Sequence, residues 1–133
     1  MSTASIAWPR RWRRASPKVR CWTKGCWWKR WPAADGVPDG MTTDADGRLW
    51  IAHWGGGCVT CHDADTAHEL ARIPLPASQV TNCAFGGADL RTLYITSART
   101  GLSPGQLAAE PLAGALFAVD TAARGLPAPL FGG

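Results

Sequence analysis

The chain has 133 residues, a formal charge of +4 and five cysteines. This length allows one domain with a real core, and an odd cysteine count argues against a disulfide framework and for a reduced, cytoplasmic protein. No apolar run approaches the roughly 20 residues that span a bilayer, and no apolar stretch of about 7–15 residues follows the basic start as a secretory signal requires.

The charge is split along the chain. Residues 1–31 carry nine basic side chains and no acidic one, while the remainder carries five Arg against ten Asp and Glu, so the two parts are +9 and −5. Six of the eight Trp also lie at or before Trp31. This leader shows neither strand alternation nor a coherent helical stripe, and Pro9 and Pro17 would interrupt a helix. Arg and Lys interleaved with Trp could neutralise phosphate and stack on bases, meet an anionic membrane surface, or serve as a transit peptide. The abrupt change near Pro32 fits better with text read out of frame or from a wrong start. Residues 1–32 are therefore expected to be disordered or non-native and outside the fold, with neither nucleic acid nor membrane as a partner. Residues 33–133 are expected to hold the folded part.

From Pro38 onward a repeat organises the chain. PDGMTTDADGRLWIA (38–52) aligns with TNCAFGGADLRTLYIT (81–96), so that Asp39 meets Asn82 at an offset of 43 and Trp50 meets Tyr94 at an offset of 44. A period of roughly 40–50 residues is that of propeller blades. In each copy a short strand leads into a polar turn and an apolar, β-prone strand: Leu49 to Ala52 after Asp46-Gly47, and Leu93 to Thr96 after Asp89 to Thr92. Asp-Gly between apolar runs favours a hairpin because Gly takes φ > 0 without steric cost. Gly55-Gly56-Gly57, a strand over Cys58 to His62, a turn at Asp63 to Thr66 and a strand around Leu70 to Pro74 complete four strands, as a blade requires. In the second unit a long loop over 99–114 holds a helical patch at Pro104 to Glu110, and Leu116 to Val119 and Pro129 to Phe131 read as outer strands. The expectation is all-β, about two blades of a propeller, too few to close a ring and with open edges.

Cys58-Val59-Thr60-Cys61-His62 matches CxxCH, the attachment signature of c-type haem. The strand-like setting, the missing export signal and the lack of a suitable axial ligand favour chance strand composition, with a thiol or adventitious metal site using His62 or His53 as a lesser reading. His53 is expected on the surface or behind a site. Arg99 is expected to fix a loop, with a substrate contact as the alternative, and Gly86 and Gly87 to permit close backbone approach.

VPDGMTTDADGRLWIAHWGGG (37–57), VTNCAFGGADLRTLYITSAR (80–99), PLAGALFAVD (111–120) and RGLPAP (124–129) resemble the regucalcin, gluconolactonase and luciferin-regenerating-enzyme family over about residues 33–133. That resemblance implies the C-terminal part of a six-bladed β-propeller with a divalent metal, Ca²⁺ foremost and Zn²⁺ or Mg²⁺ as alternatives, and hydrolysis of a sugar lactone. Of the family's ligands only the Asp of the PDG motif carries over, and it is Asp39, as metal ligand and catalytic base. Asn82 takes the same place in the next blade and lines the channel without being assigned as a ligand. One Asp cannot build a Ca²⁺ site of six or more oxygens. The chain alone is therefore expected to bind little metal and to be inactive without further blades or a partner chain. A non-catalytic calcium-binding or regulatory propeller is the alternative.

Overall fold

The computed structural model describes residues 32–130 and Gly132; the leader therefore lies outside the described residues. The chain enters through a short 3-10 turn at Ala33–Asp35 and builds strands β1 (Val37–Thr43), β2 (Leu49–Trp54), β3 (Cys58–His62) and β4 (Glu69–Pro74), then β5 (Val80–Gly86) and β6 (Thr92–Ser97), helix α1 (Pro104–Ala109) and β7 (Leu116–Asp120). They form two antiparallel sheets in sequential order, β1-β2-β3-β4 and β5-β6-β7. The architecture is all-β apart from one short helix, and the two sheets close no ring.

Local chemistry explains the turns. The β1–β2 turn is closed by Asp44 N donating to Arg48 O (3.1 Å) and Gly47 N to Asp44 O (3.0 Å), with Gly47 at φ 80°. Between β2 and β3 Gly55 and Gly57 both sit at positive φ, a region that costs glycine little and other residues much. α1 begins with a capping box: Ser103 Oγ accepts from Gln106 N (3.3 Å), and Gln106 Oε1 accepts from Ser103 N (2.9 Å). The expected helical patch is thus real, because two of its orphan backbone donors find partners.

The sheets stack face to face. Trp50, Ala52, Val59 and Cys61 of the first sheet and Val80, Cys83, Leu93 and Ile95 of the second form the core, closed below by Ala123. Trp50 meets Phe85 edge to face, with ring centroids 5.6 Å apart. β1 and β2 lie against β5, and Cys83 Sγ donates to Trp50 O across the seam (3.4 Å). This seam is how one blade rests on the next.

Two expectations are corrected. Residues 126–130 form no strand: Pro127 and Pro129 lack the N–H that a ladder needs, and Phe131 lies outside the described residues. Instead, the segment after β7 turns under the first sheet, where Ala45 N donates to Arg124 O (2.7 Å) and Gly125 bridges Asp44. β3 also departs from simple alternation, being buried along its whole length.

Candidate functional site

Asp39 lies within an irregularity of β1, and Asn82 directly follows one in β5. Between the pairs Pro38–His53 and Met41–Ile51, β1 carries one residue more than β2; between Val80–Ser97 and Asn82–Thr96, β5 carries one more than β6. Each strand that opens a sheet is therefore bulged at the start of its repeat. Bulges re-aim side chains and gather near active sites. Both Asp39 and Asn82 are exposed.

The seam brings Asn82 against the β1 bulge. A Cβ on Gly40 would overlap the Asn82 amide, with the Asn82 Cβ only 2.7 Å away. Asn82 Oδ1 accepts from Cys83 N (2.8 Å); because a backbone N–H can only donate, the oxygen faces the strand. The pair offers a carboxylate and an amide. Oxygen donors of this kind suit a hard cation, but two residues supply only part of the six to eight oxygens that Ca²⁺ takes. Among the described residues, no three His, Cys, Asp or Glu side chains gather as a metal site.

His53 is not on the surface; it is completely buried, as are Thr60 and, nearly so, His62. Thr60 Oγ1 lies 2.7 Å from His53 Nε2 and 2.8 Å from His62 Nε2, while His62 Nδ1 lies 3.1 Å from the Ala67 carbonyl. Thr60 has one hydroxyl proton, so at least one imidazole must donate to it. Burial holds the His53 pKa below its ordinary value, partly offset by a hydrogen bond with the Asp35 backbone and the Asp35 charge. The sequence missed this burial because it follows from His53 pairing with Cys58 inside the sheet while the turn before β1 packs on the same loop: a Cβ on Gly56 would sit 2.9 Å from the His53 Cβ.

Nearby, Arg72 bonds Asp35 (2.7 and 3.1 Å) and Glu69 (2.8 and 2.8 Å). These bonds hold both carboxyls below the usual range and raise the guanidinium. The CxxCH residues do not converge on one side. Cys58 and Cys61 are three apart on one strand and so face opposite ways. Cys61 belongs to the core between the sheets, and burial pushes its thiol to about 11. One porphyrin cannot reach both, which removes the haem reading.

Arg99 behaves as a loop-fixing residue: its side chain lies along Gly114, whose Cβ would meet Arg99 Cγ at 2.7 Å. Gly86 makes room for the Tyr94 ring rather than for backbone, and Gly87 supplies a positive φ of 82°. A shallow cavity of about 370 Å³ lies where Gly55–Gly57, Leu75–Ser78 and the segment after α1 meet. Glu110 closes one side by accepting from Ser78 N (2.7 Å).

Sequence reasoning missed Asp44. This buried carboxylate accepts from Asp46 N (3.0 Å), Arg48 N (3.0 Å), Arg48 Nε (2.8 Å) and Trp50 Nε1 (2.9 Å). The available signal was an Asp two residues before Asp-Gly, a side chain that bonds forward into its own turn.

A sequence profile of the SMP-30/Gluconolactonase/LRE-like region matches residues 20–99, so the match begins within the leader, ahead of residue 33 where the resemblance was expected to start. A pentonolactonase of Haloferax volcanii is 46% identical over 100 residues, covering 72% of this chain and 34% of that protein. A regucalcin of Danio rerio is 44% identical over 94 residues, covering 70% of this chain and 32% of that protein. A crystal structure of a regucalcin from Agrobacterium tumefaciens, described as a calcium-binding protein, superposes with a TM-score of 0.68 at 38% identity, over 71% of this chain and 32% of that one. The chain spans about a third of the length of the curated relatives it matches.

Proposed function

Because the chain belongs to the SMP-30/gluconolactonase/LRE-like family, we propose that it supplies two blades of a metal-dependent sugar lactonase, with Asp39 as metal ligand and catalytic base. The observation that carries this reading is the exposed Asp39 carboxylate on the bulge that opens the first sheet. When bound, a divalent cation supplies Lewis acidity toward the lactone carbonyl. Asp39 would help hold that cation, and its carboxylate would take the proton of the attacking water. The water oxygen bonds the carbonyl carbon, the ring C–O bond breaks, and the proton taken by Asp39 passes to the departing ring oxygen, so that a hydroxy acid leaves.

Ca²⁺ suits this donor set best and Mg²⁺ next, both being hard cations. Zn²⁺ favours nitrogen and sulfur, and His53, His62 and the three described cysteines lie buried within the sheets. The donors named are too few for strong binding, so the chain acts only with further blades or a partner chain. Its three described cysteines are free thiols, which supports a reducing, cytoplasmic setting. Among the described residues no helix is long and apolar enough to cross a membrane. The folded unit is taken to start at residue 33.

The test is a chimaera in which residues 33–133 replace the matching segment of the Haloferax volcanii pentonolactonase. Lactone hydrolysis that EDTA abolishes and that Asp39→Asn lowers at least about a hundredfold supports the proposal; undiminished hydrolysis by Asp39→Asn refutes it. The alternative, a calcium-binding propeller without hydrolysis, draws on the description of the Agrobacterium relative. It predicts Ca²⁺ binding that depends on Asp39 in a chimaera that turns over no lactone.

A further inference from the structure

We infer that Asn82 is a positioning residue for Asp39, acting from the neighbouring blade through Gly40. This rests on the reading of Asp39 as the cation ligand. Three observations carry it. First, Gly40 is not a glycine for conformational reasons, since its φ lies outside the left-handed region; it is a glycine because the Asn82 side chain fills the space where a Cβ would stand. Second, the Asn82 side chain is held in place by its own strand through the Cys83 N–H to Oδ1 bond (2.8 Å). Third, Cys83 is anchored to the first sheet through Trp50 O (3.4 Å), so β5 cannot slide away from β1.

The result is a wedge. The β1 bulge at Asp39-Gly40 lacks regular ladder pairing and would be free to shift toward β5. The Asn82 amide blocks that shift and sets where the Asp39 backbone stands. Ligand carboxylates depend on such support, and its loss typically lowers metal affinity by about 10–100-fold.

The wedge predicts a specific non-additivity, to be measured in the pentonolactonase chimaera, where the remaining blades supply the oxygens this chain lacks. Wild type, Asn82→Ala, Gly40→Ala, the double variant and Asp39→Asn are labelled with ¹⁵N. Backbone order parameters at Asp39 and Gly40 are measured without metal, the same amides are followed through a CaCl₂ titration, and thermal melts are recorded. In Asn82→Ala the order parameters at 39 and 40 fall from about 0.85 toward about 0.6, and the Ca²⁺ midpoint rises about tenfold while the melting temperature stays within a degree or two. Gly40→Ala lowers the melting temperature, and adding Asn82→Ala recovers part of that loss, because the amide is gone and only the Asn82 Cβ, 2.7 Å from the new methyl, still has to yield. Unchanged order parameters in Asn82→Ala, or additive effects of the two substitutions on melting, overturn the role of Asn82. If Asp39→Asn abolishes the titration while Asn82→Ala leaves it untouched, Asn82 alone is refuted. If Asp39→Asn leaves the titration untouched, the reading of Asp39 falls and the positioning role with it.

Discussion

Replacing Asp44 with Asn is the sharpest test of how the first sheet is held. The substitution keeps shape and removes one acceptor atom. In the native site, one carboxylate oxygen takes the N–H groups of Asp46 and Arg48 and the other takes Arg48 Nε and Trp50 Nε1. An Asn82-like arrangement at this position, with Oδ1 serving the two backbone donors, would turn its NH₂ toward two further donors. Arg48 is a third exposed and keeps Asp46 as a partner at 2.6 Å, so water and Asp46 compensate it. The Trp50 indole is 5% exposed and has no such recourse. A buried donor left unsatisfied costs about 1–3 kcal/mol, and the lost charge-assisted bond adds about 1.5 kcal/mol. The expected loss is about 3 kcal/mol, a large part of the stability of a domain this size, and about 15 °C in Tm. Urea unfolding followed by far-UV circular dichroism measures it, in wild type and in a Trp50→Phe background that lacks the indole N–H. In that background Asp44→Asn should cost about half as much. A loss below about 0.5 kcal/mol, or the same loss in both backgrounds, would refute the argument.

Two further predictions follow from buried groups. His53 has a folded pKa below its unfolded value of about 6.5, so as pH falls from there the unfolded chain takes up a proton that the folded one resists. Stability is full above about pH 6.5 and declines below it, with a slope of at most about 1.4 kcal/mol per pH unit. Asp35, Arg72 and His62 are the charged and titratable groups that act on His53. The lowered carboxyls of Asp35 and Glu69 lose their contribution only below about pH 4.5. His53→Gln should therefore flatten the stability profile between pH 6.5 and 5; an unchanged slope there assigns it elsewhere. The thiols give the other prediction: burial raises Cys58, pushes Cys61 to about 11 and pushes Cys83 to about 12. Iodoacetamide at pH 8 should leave all three unmodified in the native protein and label them in guanidinium, as read by peptide mass mapping. Native labelling of Cys61 would mean that the sheets do not stack as described.

The elements that sequence made legible are those whose cause is local. β3 was expected over Cys58 to His62 and is found there, because three glycines and an Asp-rich turn bracket five residues. The helix after Ser103 and the strand at Leu116 follow equally from short-range signals. The misses are those that depend on partners far away in the chain. His53 reads as a residue on the surface or behind a site, and only its pairing with β3 decides against the surface. Asp44 was passed over in the sequence, and its role depends on the hairpin returning Trp50 beside it. The strand expected at Pro129 to Phe131 gave the apolar residues too much weight and the missing proline N–H groups too little. For the candidate site, the equivalence of Asp39 and Asn82 was legible as a repeat offset, but the packing of Asn82 on the β1 bulge was not. That contact depends on how the sheets stack.

The stacking also ties the candidate site to the core. Asn82 leads directly into Cys83, a core residue bonded to the first sheet, and Cys83 pairs with Ile95, which is fully buried beside Leu93. Gly40 is followed by Met41, which pairs with the buried Ile51. A shift of one sheet across the other by a fraction of an ångström would therefore move the Asn82 amide relative to Gly40 by a similar amount, because close-packed interiors transmit displacement rather than absorb it. Substitutions at Leu93 or Ile95 that merely repack the core should then disturb the bulge at Asp39 before they unfold the protein. A blade repeat places equivalent residues side by side, and the tightness of the seam decides whether they act together.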